Sequence, residues 1–143
     1  MAELNGCGDG VLRNETFDGT LRVTGDEPCI IIGSTIQGDL RVINLPYVLL
    51  LNNKVGGIIR VDGNAGIGVA NVIANTVLGE KIVVRDNDTA YVLENDAVTG
   101  DIRVNFNTKA FVQKNIAAQD ITCRENTDLT GSLNLAGGNN TCN

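Results

Sequence analysis

The sequence predicts an all-β fold, a single-stranded parallel β-helix in which each turn of chain stacks on the turn before it. A motif that begins at glycine recurs about every twenty residues, which is a period typical of solenoids. It is clearest at Gly38–Val42 (GDLRV), Gly57–Val61 (GIIRV) and Gly100–Val104 (GDIRV). Hydrophobic residues make up 43% of the chain and aromatic residues only 3%, so the core must be aliphatic. No stretch of about ten residues has the period of a helix.

Apolar residues at fixed offsets from the repeated glycine predict the core, because strand residues two apart point to the same face. The pairs after the glycine are Leu21/Val23, Leu40/Val42, Ile59/Val61, Ile82/Val84, Ile102/Val104 and Ile121/Cys123. The pairs of another strand are Cys29/Ile31, Val48/Leu50, Ala70/Val72, Ala90/Val92 and Ala110/Val112. A single column just before the glycine is Ile36, Val55, Val77, Val98 and Ala118. We therefore expect about six right-handed coils, each with three short strands.

A polar step lies between two of these strands in each coil. We place it at Ser34, Asn53, Asn75 and Asp96. Stacked asparagines can bond to one another along the axis, and asparagine tolerates the left-handed backbone of a tight bend. We interpret the step as a row of structural corners. A register one residue different would put Asn52, Asn95 and Asn115 there instead, and such a slip would turn every side chain over.

Length and charge limit the organisation and the partners. The 143 residues suit one domain, which we divide into an N-terminal cap over residues 1–18, coils over 19–123 and a C-terminal cap over 124–143. The formal net charge of −6 argues against general binding to nucleic acid or to anionic membranes. No apolar run approaches the roughly 20 residues of a membrane span.

The four cysteines form one pair near each end of the chain. Within each pair the separation is about one coil, and residues one coil apart lie about 4.8 Å from each other. That distance suits a disulfide, so Cys7–Cys29 and Cys123–Cys142 are the natural pairs, and the other connectivities would cross the stack. Each bond would be worth around 3 kcal/mol in the chain-entropy model and would imply an oxidising compartment. Metal ligation is the alternative, but there is no CxxC spacing and no histidine.

The order of these motifs resembles a group of small secreted bacterial β-helix proteins that have no assigned activity. The resemblance rests on Ile121–Thr127 (ITCRENT), on Thr130-Gly131 followed by Asn139–Cys142 (NNTC), and on Asn75–Val77 (NTV). This chain departs from the group by carrying arginine and bulky apolar residues where small polar ones are frequent. The resemblance implies export and both disulfides, and it supplies no catalytic residues.

The start of the chain leaves two localisations open. Met1–Gly6 has no apolar signal core. Either the protein is cytosolic, or an export signal has been removed. Because the cysteines and the resemblance favour an oxidising compartment, we expect a secreted or extracellular protein whose signal is no longer attached.

One outward position of the strand after the glycine carries arginine in most coils: Arg22, Arg41, Arg60, Val83 and Arg103. Stacked cations about 4.8 Å apart repel each other by roughly 1 kcal/mol per pair even in water, so something must compensate. One interpretation is a surface lattice of ion pairs with Asp39, Asp62, Asp86, Asp101 and Asp120. The other is an anion-binding ladder that recognises carboxylates or sulfates on an extended glycan.

A second outward surface is strongly apolar. The predicted outward pairs are Ile30/Ile32, Leu49/Leu51, Asn71/Ile73, Tyr91/Leu93 and Phe111/Gln113, and all but Asn71 and Gln113 are large and apolar. Monomers seldom expose an apolar patch of more than a few hundred Å². Partial cover by a terminal segment is one explanation. Self-association into a closed dimer or trimer is the one we favour, and carbohydrate stacking on the two aromatic rings is a further alternative.

These observations predict a non-enzymatic, exported structural or interaction module that self-associates through the apolar face. The main alternative is a module that binds acidic extracellular polysaccharide through the arginines, and a lyase-like enzyme is a distant third. Without histidine, the usual pairs of nucleophile and base are missing. The turn Asp86–Asp88 is the best calcium candidate, but it lacks the pattern of an EF-hand loop. We expect no cofactor.

Overall fold

The structure is a computed structural model that describes residues 2–5, 7, 10–63 and 68–143. Within these residues the chain forms a parallel β-solenoid of about six turns, with three sheets of seven strands each. Each full turn passes once through each sheet, and each strand pairs in parallel with its equivalents one turn before and one turn after. The all-β, three-stranded β-helix predicted from the sequence is thus confirmed, and its right-handedness stays a prediction.

The strands follow in chain order around the three sheets. The first sheet contains β1 (Ala2–Asn5), β4 (Leu21–Thr24), β7 (Leu40–Ile43), β10 (Ile59–Asp62), β13 (Lys81–Arg85), β16 (Asp101–Asn105) and β19 (Ile121–Arg124). The second contains β2 (Val11–Arg13), β5 (Cys29–Ile32), β8 (Tyr47–Leu51), β11 (Val69–Ile73), β14 (Thr89–Leu93), β17 (Lys109–Gln113) and β20 (Asp128–Ser132). The third contains β3 (Thr16–Phe17), β6 (Thr35–Ile36), β9 (Lys54–Val55), β12 (Thr76–Val77), β15 (Asp96–Ala97), β18 (Ile116–Ala117) and β21 (Leu135–Ala136).

The core consists of aliphatic columns that run along the axis. All the inward pairs predicted for the first and second sheets are buried, except that Cys123 in the last pair is only partly buried. The first sheet pairs Ile59 with Ile82 and Val61 with Val84, so the extra residue after Gly79 is absorbed before the strand begins. The core is therefore formed by the residues that alternate with the outward arginines and the outward apolar side chains.

The column predicted for the third sheet is wrong in the later coils. Ile36, Val55 and Val77 are buried as expected, but Val98 is 44% exposed and Ala118 is exposed. The inward residues there are Ala97 and Ala117. In the earlier coils one residue separates the column from the glycine, whereas Val98 and Thr99 both lie between Ala97 and Gly100. Counting back from the glycine therefore shifts the assignment by one.

A ladder of buried polar residues holds the corner between the second and third sheets: Ser34, Asn53, Asn75, Asn95, Asn115 and Asn134. Each asparagine accepts at its Oδ1 from the coil before. The Asn75 backbone N–H and Nδ2 donate to Asn95 Oδ1 over 3.0 and 3.1 Å, and Asn95 Nδ2 donates to the Val72 carbonyl over 2.7 Å. Each of these amides thus bonds both to the coil after it and, through Nδ2, to a backbone carbonyl of the second sheet in the coil before it.

The corner prediction is confirmed in part. Ser34, Asn53 and Asn75 lie in the ladder, but Asp96 is the first residue of β15 and Asn52 is exposed at the bend. The alternative register is correct at Asn95 and Asn115. In every coil the third-sheet strand starts directly after the ladder residue. The repeated glycine lies beyond that strand and a turn of variable length. Positions counted back from the glycine are therefore shifted by one residue in some coils.

The residue before each ladder position has a left-handed backbone. Its φ is +55° at Asn52 and at Ala74, +57° at Glu94 and at Lys114, and +58° at Leu133. Residues other than glycine and asparagine are unfavourable in this conformation by about 1–2 kcal/mol. At Ala74, Glu94, Lys114 and Leu133 the sharp bend is therefore imposed by the buried amide that follows it and not by local preference.

A second, shorter ladder, which was not predicted from the sequence, lies at the corner between the first and second sheets. Asn87 donates through its backbone N–H and Nδ2 to Asn107 Oδ1 over 3.0 and 3.1 Å, and Asn107 donates in the same way to Asn126. Left-handed residues precede its members, among them Phe106 with a φ of +59°. The signal that could have found it is the recurrence of asparagine two residues after the end of β13 and of β16.

Both terminal segments contribute strands to the stack. β2 and β3 fall within residues 1–18, and β20 and β21 fall within residues 124–143, so solenoid strands extend into both predicted caps. All four cysteines form disulfides, Cys7–Cys29 and Cys123–Cys142, with Cα atoms 5.1 and 5.2 Å apart. Each bond joins neighbouring coils at one end of the stack, as the spacing predicts.

The ladder makes a direct prediction for Asn95→Ala. The substitution removes the acceptor of the Asn75 backbone N–H and amide and a donor to Val72. Buried groups left without partners cost about 1–3 kcal/mol each, so the free energy of unfolding should fall by about 3 kcal/mol or more, measured by urea titration. The control Asn139→Ala makes the same change at an exposed position and should cost less than about 0.5 kcal/mol. Equal losses would contradict this role of the ladder.

Candidate functional surfaces

The outward side chains of the second sheet form straight columns along the axis. One column runs Ile30, Leu49, Asn71, Tyr91 and Phe111, and a neighbouring one runs Ile32, Leu51, Ile73, Leu93 and Gln113. We call this surface the apolar face. It contains all eight residues predicted for an oligomer face, Ile30, Ile32, Leu49, Leu51, Ile73, Tyr91, Leu93 and Phe111, each next to its equivalent in the adjacent coil.

The side chains of the apolar face are partly buried, although they point away from the core. They shield one another, because stacked strands place neighbours in a column within contact distance. Within the described residues the terminal segments do not fold over this face, since β20 adds to the edge of the second sheet and β21 to the edge of the third. The face remains a surface of the single chain.

Tyr91 and Phe111 stack on each other along the axis. Their ring centroids are 4.9 Å apart and the rings are tilted by 8°, which is close to the spacing of successive strands. Packing of this kind holds both side chains in one rotamer and keeps the surface even. The aromatic pair is therefore a rigid part of the face.

Neither column of the apolar face contains a charged side chain, and Lys109 lies beside the face, two residues before Phe111 on β17. The two polar residues in the columns are the neutral Asn71 and Gln113. Asn71 Nδ2 donates to the Val48 carbonyl over 3.3 Å, so its amide is directed towards the backbone. Five strands about 4.8 Å apart and five residues about 3.3 Å apart give this surface of the second sheet an area of about 400 Å², which includes the position beside the two columns that holds Tyr47 in β8 and Lys109 in β17. An area of this size lies within the range that often marks an interaction site.

The outward column of the first sheet matches the sequence prediction. Arg22 pairs in register with Arg41, Arg41 with Arg60, Arg60 with Val83 and Val83 with Arg103. We call these residues the arginine column. Val83 is only 7% exposed, so it divides the column into a group of three arginines and a single one.

Most of the arginine column is neutralised by nearby carboxylates. Arg41 lies 3.2 Å from Asp39, and Arg103 lies 3.1 Å from Asp101. In both pairs the aspartate lies two residues before the arginine, Asp101 as the first residue of β16 and Asp39 directly before β7, so its side chain points to the same face. This arrangement favours the ion-pair interpretation of the column.

The pair at Arg60 extends into a small network. Asp62 accepts from Arg60 Nε over 2.9 Å and from Arg85 Nε over 2.6 Å, and Arg85 lies 3.6 Å from Asp86. The hydrogen bond from Arg85 to Asp62 raises the pKa of Arg85, burial opposes the shift, and the charges of Asp62 and Asp86 add to it. One carboxylate thus bridges two coils.

Shallow grooves lie beside the arginine column. One has a volume of about 240 Å³ and is lined by Arg103, Asn105, Asp120, Thr122 and Arg124. Another, about 170 Å³, is lined by Thr20, Arg22, Asp39 and Arg41. A third, about 290 Å³, includes Arg103 together with Glu80, Lys81 and Asp101. Arg124 extends the cationic surface by one coil, and within the described chain it forms no ion pair. It was not predicted from the sequence because it lies in the column of Asn105 and not in that of Arg103.

The candidate calcium turn serves the fold. Asn87 is buried and its amide is used in the second ladder. The Asp88 backbone N–H donates to the Gly68 carbonyl over 2.8 Å, and Asp86 lies beside Arg85. Among the residues that the structure describes, no group of three or more His, Cys, Asp or Glu side chains is placed to hold a metal ion.

Comparisons with family models, with curated proteins and with solved structures find no match for this chain. In the described ranges no helix has the length and the hydropathy needed to cross a bilayer.

The Asp62 network predicts a small and salt-dependent effect on stability. Asp62→Asn removes the carboxylate between Arg60 and Arg85, and partly exposed ion pairs contribute up to about 1 kcal/mol. We expect a loss of about that size in the free energy of unfolding at low ionic strength, and a smaller loss at high salt. The control Asp128→Asn changes an exposed aspartate that forms no ion pair in the described residues. An unfolding loss for Asp62→Asn that is unaffected by salt would contradict an electrostatic origin.

Proposed function

We propose that this chain is an exported, non-enzymatic structural module that self-associates through the apolar face. The observation that carries the proposal is the row of eight large apolar side chains on an outward sheet surface, where water would otherwise cover them. Removal of apolar surface from water is the main favourable contribution to association. The same residues contribute nothing to the core, which is formed by the alternate positions.

The shape of the face favours a dimer over a trimer. A flat sheet surface is covered completely by one other flat surface about 10 Å away, as in a β-sandwich. A two-fold axis brings the same patch of both copies together and leaves no copy of the patch exposed. A trimer would require each copy to offer two different patches.

The size of the face sets the expected strength of the dimer. Two faces of about 400 Å² remove about 800 Å² in total, which is below the standard size of stable interfaces. The gross hydrophobic gain of about 25 cal/mol per Å² is largely offset by the cost of association. We therefore expect a reversible dimer with micromolar affinity.

Export is supported by the cysteines. All four are paired, with one disulfide near each end of the stack, and such bonds persist in oxidising compartments. The resemblance of the cysteine and Asn-Thr motifs to small secreted β-helix proteins supports the same localisation. Two covalent links between coils suit a module that has to endure outside the cell.

The dimer is tested by Leu49→Lys combined with Tyr91→Lys. Two ammonium groups per copy would be buried without partners, so the dimer should be lost while strand content by circular dichroism is unchanged. The wild-type chain should have twice the monomer mass by light scattering, and the double variant the monomer mass.

The matched control is Ile116→Lys combined with Leu135→Lys. These residues are also apolar, and they are 49% and 65% exposed, but they lie on the third sheet. The control should remain a dimer. A wild-type chain that is monomeric throughout the micromolar range, or a control that dissociates as the face variant does, would rule out the proposed interface.

A second candidate function, the binding of acidic polysaccharide, is favoured by the groove between Arg103 and Arg124. Thr122 pairs in register with Arg103 on the neighbouring strand, and Arg124 lies two residues further along that strand. Two guanidinium groups suit a carboxylate or sulfate. Its weakness is the pairing of Arg103 with Asp101. No observation on the described residues favours the lyase hypothesis.

Retention on immobilised heparin or polygalacturonate tests this candidate. If the groove binds the polymer, Arg103→Ala with Arg124→Ala should lower the eluting salt concentration far more than Arg60→Ala with Arg85→Ala, because the second pair is neutralised by Asp62. Equal effects would indicate attraction by charge alone, and absent retention would reject the candidate.

A further inference from the structure

The last residues of the chain, 137–143, form a segment that we call the C-terminal tail. After β21 the chain returns to the edge of the first sheet. The Ile121 backbone N–H donates to the Asn139 carbonyl, and the Thr141 N–H donates to the Ile121 carbonyl, both over 2.9 Å. Asn140 forms an isolated parallel bridge with Ile121. The tail thus begins an additional coil on β19.

The tail then leaves the path of a coil and crosses the end of the core. Cys142 is fully buried and bonded to Cys123. Its carbonyl oxygen occupies the space that a Cβ at position 131 would need, so Gly131 is required there. Asn143 completes the first ladder, because the Asn134 backbone N–H and Nδ2 donate to its Oδ1 over 3.0 and 3.1 Å.

The tail replaces only part of a coil. It covers the edge of β19, the inward side of Gly131 and the end of the ladder. β20 and β21 are the last strands of their sheets in the described chain. An uncovered edge strand offers backbone donors and acceptors to another strand. The end of the core is also incompletely covered, because Leu129, which lies in the core column of Ala110, is 38% exposed.

The first coil has the shape that would continue this end. Leu12 starts the core column that ends at Gly131, and Phe17 starts the column that ends at Ala136. Both are large and only partly buried, whereas their counterparts at the other end are the smallest residues available. If the first coil of a second copy were stacked on the last coil, large side chains would meet small ones.

The ladder has the matching polarity. Each member donates to an acceptor in the next coil, so Asn134 at the C-terminal end needs an acceptor above it. The corresponding residue of the first coil is Glu15, whose backbone N–H donates to Ser34 Oγ over 3.2 Å. Its side chain is exposed, and a carboxylate accepts without donating. A second copy would supply the acceptor that Asn143 supplies in the closed chain.

We propose that the C-terminal tail is a releasable cap over an interaction surface, and that the released end binds the first coil of a second copy. β20 would pair in parallel with β2 of the next copy, and β21 with β3. Because the two patches differ, the contact does not close and copies add end to end. This interface is separate from the apolar face and does not rest on the proposed dimer.

We call the Cys123–Cys142 disulfide, which holds the tail on β19, the clasp. It is the more accessible of the two disulfides. Cys123 is partly buried, whereas Cys7 and Cys29 are both buried, and access limits the rate of thiol exchange. A dithiol reductant would attack Cys123 Sγ as the bond to Cys142 breaks and Cys142 leaves as a thiolate. The second thiol of the reductant then releases Cys123 as a thiolate, and the reductant closes its own disulfide with two electrons transferred.

The experiment uses the full chain with Leu49→Lys and Tyr91→Lys, so that association through the apolar face does not contribute. In this background Cys123→Ser, Cys142→Ser and Asn143→Ala together remove the clasp and the last ladder acceptor. We expect the weight-average mass from light scattering to rise about two-fold or more as protein concentration increases. The matched control Cys7→Ser with Cys29→Ser breaks the other disulfide, retains the tail and should stay monomeric.

A further substitution tests which end is bound. Adding Glu15→Lys to the unclasped variant places a donor opposite the donors of Asn134 and should abolish the assembly, while the exposed position leaves the fold unchanged. If the unclasped variant loses its strand signal, the same measurement is made on the chain with intact cysteines after mild reduction with dithiothreitol, with the reduced pair assigned by mass spectrometry. A folded, unclasped chain that stays monomeric, or an assembly that is insensitive to Glu15→Lys, would overturn the proposal.

Discussion

The buried asparagine ladders determine the rest of this structure. Each amide fixes the vertical register of one coil on the next, because its oxygen accepts from the coil before and its nitrogen donates both to the coil after and to a core carbonyl. Residues such as Glu94, Lys114 and Phe106 adopt a left-handed backbone beside the ladders, although none of them prefers it. Once the corners are in register, equivalent side chains must form columns, and both the aliphatic core and the outward surfaces follow from that.

The two outward columns illustrate how the same geometry has opposite consequences for different residues. Stacked arginines repel, and the chain places Asp39, Asp62 and Asp101 beside three of them, so that surface is balanced within the single chain. Stacked leucines and isoleucines attract, but they cannot bury their outer sides by themselves. The proposed self-association therefore uses the apolar face, because three of the four arginines in the other column already have carboxylate partners.

Periodicity alone was sufficient to predict the architecture, both disulfides and the inward residues of the first two sheets. Strands of four or five residues contain an apolar pair, and a pair two residues apart defines its own face. The third-sheet strands have only two residues, so their single inward position had to be located by counting back from the glycine. The longer turn at Val98 and Thr99 shifted that position by one residue, from the buried Ala97 to the exposed Val98. The shorter ladder at Asn87 was hidden for a related reason: one member was grouped with its acidic neighbours as a calcium turn. Arg124 lies in the column of Arg85 and Asn105, next to the arginine column and not in it. The crossing of the tail depends on tertiary contacts that no repeat encodes.

The positions of the two disulfides also decide how the molecule would respond to mechanical load. A force applied between the chain ends would pass from Cys7 directly to Cys29 and from Cys142 directly to Cys123. The residues enclosed by these links would carry no tension. Apart from β1, which precedes Cys7, the extensible part of the chain is thereby confined to the coils between Cys29 and Cys123, where each winding is secured on both sides, and the strands enclosed by the two disulfides cannot peel away first.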